Sequence, residues 1–100
     1  MRIIALVFAL LAMVAAEQAL AADPHLGRNL AATCANCHGT DGKAQGTELV
    51  SLAGVPANQI LSKLNEFKEG TRQATIMHQI VKGFTDEQLK LIADYFAKQR

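Results

Sequence analysis

The chain has 100 residues, of which 50% are hydrophobic and 19% are charged, and its formal net charge is +1 at pH 7. This length accommodates one small domain and excludes a multi-domain architecture. Nucleic acid is not an expected partner, because binding it requires clustered lysine and arginine side chains and the charges here nearly balance.

Residues 1–21 have the organisation of a cleaved secretory signal peptide. Arg2 forms a short basic region, residues 3–16 are an uninterrupted apolar run, and Ala19-Leu20-Ala21 places small residues around a cleavage site. The alternative is a membrane anchor, but the run is shorter than the roughly 20 residues that span a bilayer. We expect export to the periplasm with cleavage near Ala21, which leaves residues 22–100 as one domain without a stable membrane span.

The expected mature chain has 79 residues, and the loss of Arg2 and Glu17 leaves its net charge at +1. Packing in a domain of this size supplies only roughly 3–5 kcal/mol of net stability. Such domains usually require a disulfide, a metal or a cofactor as well. We therefore expect a further group to complete the core.

The only two cysteines lie in the pentapeptide Cys34-Ala35-Asn36-Cys37-His38. The C-x-x-C-H pattern is typical of the covalent attachment of a c-type haem. Two thiols three residues apart on a helix lie on the same side, so both can bond to the vinyl groups on one edge of a porphyrin. His38 is then placed to bind the iron through Nε2 as the proximal ligand. The sequence predicts one covalent haem c, with its iron, as the cofactor.

Three other uses of the cysteines fit the sequence less well. A disulfide between Cys34 and Cys37 would close a very small loop and add little stability. A thioredoxin-like redox pair requires a βαβ setting, and no strand pattern precedes Cys34. A structural zinc site requires four ligands, whereas the expected mature chain has two cysteines and three histidines without a zinc-finger spacing.

Met77 is the predicted second iron ligand. The other two methionines belong to the expected signal peptide, so Met77 is the only methionine of the mature chain. It lies 39 residues after His38, which allows the chain to pass around the haem to its opposite face. His78 is the alternative, and it would give a bis-histidine haem of lower potential. We interpret His25 as a surface residue.

The first predicted helix of the mature chain runs towards Cys34. Asp23 followed by Pro24 is typical of an N-cap with proline at the first helical position. Gly27 lies inside this helix, where a glycine costs about 1 kcal/mol relative to alanine. Its presence predicts a close approach by another helix.

Two further helices follow. Apolar residues at helical spacing predict a helix from Pro56 to a stop at Gly70. Thr85 and Gln88 form a capping box before an amphipathic helix. The predicted buried stripe of that helix consists of Leu89, Ile92, Ala93 and Phe96. No strand or hairpin pattern is present, so the predicted fold class is all-α.

The mature chain resembles class I c-type cytochromes along its whole length. The resemblance rests on Gly27, on Cys34 to His38 followed by Gly39, on Met77, and on the C-terminal amphipathic helix. It implies the class I cytochrome c fold, in which helices wrap around one covalently bound haem and the N- and C-terminal helices cross at such a glycine. It also implies that Gly27 and Leu30 meet Ile92 and Tyr95.

Four shorter stretches are similar to the haem subunit of flavocytochrome c sulfide dehydrogenase. They are Ser51-Leu52-Ala53-Gly54, residues 64–70, Ala74-Thr75-Ile76-Met77 and Lys82-Gly83-Phe84-Thr85-Asp86. This similarity implies a subunit that accepts electrons from a sulfide-oxidising flavoprotein. The stretches also occur in looser form among free bacterial carriers, so a soluble electron shuttle of a respiratory or photosynthetic chain is the alternative.

The loop after the haem motif departs from the family. Related cytochromes carry prolines there, and a backbone carbonyl of that loop usually accepts the Nδ1–H of the proximal histidine. No proline lies between Cys37 and Pro56, and Thr47 and Val50 occupy the corresponding places. The sequence therefore leaves the hydrogen-bond acceptor of His38 open.

The expected function follows from the iron ligands. With His38 and Met77 both bound, the iron has no vacant position for oxygen or substrate, which favours single-electron transfer between redox proteins without catalysis by the chain itself. A haem enzyme or gas sensor with an open distal site is the alternative from another class. We expect the haem to bury apolar surface, at about 25 cal/mol per Å², against Leu52, Ile60, Leu64, Ile76, Ile80 and Ile92.

Overall fold

The computed structural model describes residues 1–21 and 23–100, and the side chains of residues 1–12 and 23–100. Ala22, the predicted first residue of the mature chain, lies outside the described residues. The side chains of the predicted cleavage motif, Ala19-Leu20-Ala21, also lie outside them.

The described residues form α-helices and no β-strand. The helices are α1 (Arg2–Ala21), α2 (Leu26–His38), α3 (Ala57–Glu69), α4 (Met77–Val81) and α5 (Asp86–Ala97). A 3₁₀ turn, Thr40–Gly42, follows α2. The predicted all-α fold class is therefore confirmed.

The described side chains of Met1 and of residues 2–12 of α1 are all exposed. They include large apolar groups such as Ile3 and Phe8, which are 77% and 69% exposed. Among the described residues, no helix combines the length and the apolar character required to cross a membrane. The described part of α1 therefore contributes no side chain to the core of the domain.

The start of α2 corrects a prediction, because the helix begins at Leu26 and not at Pro24. Asp23 Oδ1 accepts the His25 N–H at 2.8 Å, and the Asp23 carbonyl accepts the Leu26 N–H at 3.3 Å. These two bonds close a separate turn over the predicted first helical residues. His25 consequently occupies the cap position of α2.

The close approach of α2 and α5 at Gly27 agrees with the prediction. A Cβ atom added to Gly27 would lie 3.0 Å from the carbonyl oxygen of Leu91 and 3.5 Å from Cβ of Tyr95. Tyr95 is one of the contacts that the family resemblance implies, and Leu91 is a close neighbour that the sequence did not indicate. A side chain at residue 27 would push these helices apart.

The ends of α3 and the start of α5 also follow the sequence signals. Pro56 precedes α3, and Gly70 follows it with φ 79° and ψ 14°, a left-handed conformation that suits glycine. At α5, Gln88 N donates to Thr85 Oγ1 at 3.2 Å and Thr85 N donates to Gln88 Oε1 at 2.9 Å. The predicted capping box is therefore present.

The core lies where α2 and α3 each pack against α5. Its buried apolar residues are Ala31, Ile60, Leu64, Val81, Leu89, Ile92, Ala93 and Phe96. All four residues of the predicted α5 stripe belong to it. Phe96, Leu89, Ile92 and Val81 are its largest fully buried side chains.

The segment between α2 and α3 packs against α5 through Gly42. This residue is buried and has φ +80°, and a Cβ there would lie 2.7 Å from Cδ1 of Phe96 and 2.9 Å from N of Ala53. The Gly42 carbonyl accepts the N–H groups of Leu52 at 2.8 Å and Ala53 at 3.2 Å. Both the backbone conformation and the available space therefore require glycine.

We predict that Gly42→Ala destabilises the haem-loaded protein more than Gly46→Ala does. Gly46 has φ +77° but nothing within 4 Å of an added Cβ, so its substitution carries only the backbone penalty of about 1–2 kcal/mol. At Gly42 steric overlap adds about 1–3 kcal/mol. Guanidinium unfolding of both variants measures the difference, and equal losses of stability would contradict the packing role of Gly42.

Candidate functional site

Three of the four predicted site residues, Cys34, His38 and Met77, line one cavity of about 310 Å³. The rest of its lining is mainly apolar: Val50, Leu52, Val55, Ile60, Leu64, Phe67, Ile92 and Phe96, with the polar residues Ser51, Lys63 and Arg72. The cavity thus brings a thiol, an imidazole and a thioether together among hydrocarbon side chains.

Helix α2 positions the residues of the C-x-x-C-H motif. Cys34 and His38 lie four residues apart, which places them on the same face of the helix. His38, the last residue of α2, is only 9% exposed. Cys34 is half-buried, whereas Cys37 is exposed and does not line the cavity. The two thiols are free and are not bonded to each other.

The hydrogen-bond partner of His38, which the sequence left open, is the backbone carbonyl of Val50. The Nδ1 atom lies 2.8 Å from the carbonyl oxygen of Val50. A carbonyl oxygen only accepts, so Nδ1 carries the proton and Nε2 retains its lone pair. The bond therefore selects the tautomer that can bind a metal through Nε2 and fixes the orientation of the ring.

Hydrogen bonds of the two following residues hold the Val50 carbonyl in place. Ser51, the next residue, accepts the Ala44 N–H through Oγ at 3.0 Å. The Leu52 N–H donates to the Gly42 carbonyl at 2.8 Å. Val50 itself is 62% exposed, so the histidine contact depends on the course of the backbone and not on burial of the valine side chain.

Burial raises the pKa of the Cys34 thiol, and the nearby Cys37 thiol acts in the same direction, while a backbone hydrogen bond of Cys34 partly offsets both effects. An apolar cavity disfavours a charged thiolate. Conversion to a thioether removes the titratable proton and leaves a neutral sulfur. This environment is therefore compatible with a permanently bonded sulfur.

Met77 and His78, the two alternative second ligands, lie in different surroundings. Met77 begins α4, is half-buried, packs against the core and lines the same cavity as His38. His78 is not among the residues that line this cavity. It lines a separate open depression with Arg72 and Lys82 among others. Of these two alternatives, Met77 is the one that lines the cavity together with His38.

Comparison with known proteins agrees with this site, since the cytochrome c family matches residues 25–99. The chain belongs to the cytochrome c family. It is 41% identical over 70 residues to the cytochrome subunit of sulfide dehydrogenase from Chlorobaculum tepidum, covering 70% of this chain and 63% of that protein. It is 32% identical over 82 residues to cytochrome c-554(548) from Halomonas halodenitrificans, covering 79% of this chain and 99% of that protein.

A solved structure supports the same fold. The cytochrome c4 of Acidithiobacillus ferrooxidans superposes with a TM-score of 0.61 at 40% identity, covering 65% of this cytochrome and 37% of that chain. This chain therefore spans less than two thirds of both the solved cytochrome c4 and the sulfide dehydrogenase subunit. The predicted class I cytochrome c fold is confirmed.

Cytochromes of this family carry covalently bound haem c with iron, so the predicted cofactor is confirmed. The residues of this chain fit the group: two thiols in the attachment motif, an imidazole with a free Nε2, a thioether and an apolar cavity. The chain is therefore a c-type cytochrome with covalently bound haem c.

The apolar surroundings predicted for the haem are partly wrong. Leu52, Ile60, Leu64 and Ile92 line the cavity, whereas Ile76 and Ile80 do not. Ile76 lies at the cap position of α4 and is 57% exposed. Helix α4 has only five residues, and Met77 is its residue on the cavity while Val81 enters the core. Val55, Phe67 and Phe96 complete the lining instead.

A side-chain hydrogen bond links the loop after the haem motif to the C-terminal helix. The Tyr95 hydroxyl donates to Oδ1 of Asp41, a residue 54 positions away in sequence. This bond raises the pKa of Tyr95, with burial and the negative charge of Asp41 acting in the same direction and Arg28 opposing them. The family resemblance implied that Tyr95 meets the first helix of the domain, but nothing in the sequence indicated Asp41 as its partner.

We predict that Tyr95→Phe reduces the free energy of unfolding by about 1 kcal/mol at pH 7, as expected for one lost hydrogen bond. The pKa of Tyr95 is higher in the folded state than in the unfolded state. The stabilisation is therefore complete below the unfolded pKa of about 10 and is lost as the pH rises through the folded value.

Denaturant unfolding of wild type and Tyr95→Phe between pH 7 and pH 11 checks this prediction. The stability difference should shrink towards the alkaline end of the series. Asp41→Asn is the matched control, because it keeps an acceptor oxygen and removes only the charge. A difference between wild type and Tyr95→Phe that stays constant across the series would contradict the prediction.

Proposed function

We propose that Cys34 and Cys37 form the thioether bonds to haem c, and that His38 and Met77 are the proximal and distal iron ligands. The observation that carries this proposal is that one apolar cavity is lined by both His38 and Met77, with the Nε2 lone pair of His38 available. When bound, haem c supplies a one-electron couple between ferric and ferrous iron.

The two proposed ligands act on the reduction potential in opposite directions: Met77 favours the ferrous state, and a strongly donating His38 partly offsets this. The thioether of Met77 is a soft, uncharged donor, and a methionine ligand raises the reduction potential. The hydrogen bond from His38 Nδ1 to the Val50 carbonyl makes the imidazole a better donor and keeps it oriented. The apolar lining excludes water, which disfavours the extra positive charge of the ferric state. These residues do not need to release or bind a proton during electron transfer.

Single-electron transfer is the function that this arrangement supports best. A haem enzyme or gas sensor would require an open position on the iron. Met77 is half-buried and packs against the core, so its side chain is constrained by its neighbours. A constrained donor leaves little room for a substrate and favours a carrier over an enzyme.

We further propose that residues 1–21 are a leader that is removed on export to the periplasm. The apolar run and the small residues of Ala19-Leu20-Ala21 support this proposal. The fact that every described side chain of α1 is exposed supports it as well. Because residues 1–12 do not enter the core, their removal would not disturb the domain.

The proposed partner is a sulfide-oxidising flavoprotein from which this cytochrome accepts electrons. The support is 41% identity to a cytochrome subunit of sulfide dehydrogenase. The alternative, a free shuttle, is supported by the similarity to cytochrome c-554(548), whose name specifies no enzyme and whose length this chain covers to 99%. Both functions use the same haem site.

Carbon monoxide binding tests the distal ligand. We expect the reduced wild-type protein to bind no carbon monoxide at pH 7, and Met77→Leu to bind it and give the spectrum of a carbonyl haem. Leucine is close to methionine in volume, so the variant should lose less than about 1.5 kcal/mol from altered packing.

His78→Leu is the control for this experiment and should behave like wild type. Ready binding by the wild-type protein would refute the proposed distal ligation. Binding by His78→Leu but not by Met77→Leu would identify His78 as the distal ligand.

Purification from the native periplasm tests the leader and the partner together. We expect the intact mass of residues 22–100 plus one haem, and a flavin spectrum in the same chromatographic fraction. A mass that includes residues 1–21 would refute the leader. Haem-containing fractions without flavin under gentle conditions would favour the free shuttle.

A further inference from the structure

Two cationic side chains, Lys63 and Arg72, line the otherwise mainly apolar cavity. No other lysine or arginine within residues 23–100 lines it. Both side chains also border a shallow outer depression, together with Asn58, Gln59, Ser62 and Glu66. Lys63 and Arg72 therefore lie at the boundary between the apolar cavity and the polar surface of the protein.

Lys63 can reach this boundary because of its position on α3. It lies next to Leu64 and one turn from Ile60, and both of these apolar residues line the cavity. Lys63 itself is exposed. A lysine in this position lays its hydrocarbon stem along apolar surface and keeps its ammonium group in contact with water.

Arg72 is held at the same boundary by two contacts. Its Nε lies 2.5 Å from Oε2 of Glu66, and its guanidinium carbon lies 5.9 Å from the ring centroid of Phe67, which also lines the cavity. Nε is the only side-chain nitrogen of Arg72 with a hydrogen bond in the described part of the chain. Its two terminal nitrogens can therefore bind a further acceptor.

The Arg72–Glu66 pair does not by itself account for this placement. The side chains of Arg72 and Glu66 are 42% and 38% exposed. An ion pair with this exposure contributes only about 0–1 kcal/mol. The weak ion pair leaves the charge of Arg72 largely available, and together with Lys63 it places two cations at one edge of the cavity, an arrangement that suits an anion there.

We propose that Lys63 and Arg72 pair with the two propionate carboxylates of the haem. This inference rests on the proposed attachment through Cys34 and Cys37. The thioethers form at the vinyl edge of the porphyrin, and the propionates lie on the edge away from it, so attachment to α2 turns them towards other elements. Lys63 and Arg72 belong to α3 and the segment after it.

The chemistry of these side chains suits carboxylates beside an apolar cavity. An unpaired carboxylate there carries a large desolvation cost, which a cation at the same boundary reduces. The planar guanidinium of Arg72 can bind a carboxylate through two parallel hydrogen bonds, whereas Lys63 acts as a mobile point charge. Glu66 is a positioning residue that holds Nε and so orients the terminal nitrogens of Arg72.

The test measures the ferric-to-ferrous ratio of the holoprotein at a fixed ambient potential, across a pH series. Each of Lys63→Gln and Arg72→Gln should shift the ratio about three- to tenfold towards ferric, because a nearby cation disfavours the extra charge of the oxidised state. The pH step from propionate ionisation should also move to higher pH. The titratable and charged side chains that line the outer depression are Lys63, Glu66 and Arg72, and those that line the rest of the cavity are Cys34 and His38.

Two further variants make the result specific. Lys90→Gln removes the same charge from an exposed residue of α5 that does not line the cavity, and it should leave the ratio unchanged. Arg72→Lys keeps the charge without the planar fork and should restore part of the effect. If Lys63→Gln and Arg72→Gln move the ratio and the pH step no more than Lys90→Gln does, the propionate pairing is refuted.

Failure of the propionate pairing can be distinguished from failure of the proposed iron ligation. The methionine-to-iron charge-transfer absorption of the ferric protein reports ligation, whereas the pH step reports the propionates. Loss of that absorption in all variants and in wild type would refute the ligation and leave the propionate result readable. If Arg72→Gln does not retain haem, Lys63→Gln decides the outcome, because its exposed side chain can be replaced without opening the core.

Discussion

The side chains that form the core of this domain also form the walls of the cavity that fits its cofactor. Ile60, Leu64, Ile92 and Phe96 are core residues and also line the cavity. An apolar cavity of about 310 Å³, at about 24 cal/mol per Å³, corresponds to at most about 7 kcal/mol of lost packing. This is comparable to the whole stability of a small domain. Folding and haem retention should therefore be lost together.

The loop after the haem motif connects this core to the chemistry of the site. One of its glycines, Gly42, packs against Phe96 of α5, and Asp41 accepts a hydrogen bond from Tyr95 of the same helix. The same loop presents the Val50 carbonyl that selects the tautomer of His38. Packing between distant parts of the chain thus helps to fix the orientation of one imidazole ring. The contacts of this irregular segment with α5 therefore bear on the haem site as well as on stability.

Features with a local physical cause were predictable from the sequence. The capping box of α5 and the bounds of α3 follow from helical periodicity and end signals. The different exposure of Cys34 and Cys37 was not predicted, because their spacing alone places both on one side of the helix. The family resemblance placed the acceptor of His38 in this loop but could not single out Val50, because its carbonyl is positioned by loop hydrogen bonds that have no sequence pattern. The prediction that Ile76 and Ile80 contact the haem was wrong for a related reason. A helix of five residues is too short for periodicity to identify its buried side. Lys63 has the pattern of a solvated residue, and only the structure places its stem on the cavity.

The different exposure of the two cysteines has a consequence for the route of the electron. Cys34 faces the interior, while Cys37 is at the surface. With the proposed thioethers in place, a single saturated carbon would separate the exposed sulfur of Cys37 from the conjugated ring. Tunnelling weakens steeply with distance, so a partner that touches this spot is coupled to the iron without any rearrangement of the fold. The thioether bond that attaches the haem would then also be part of the route by which an electron enters or leaves it.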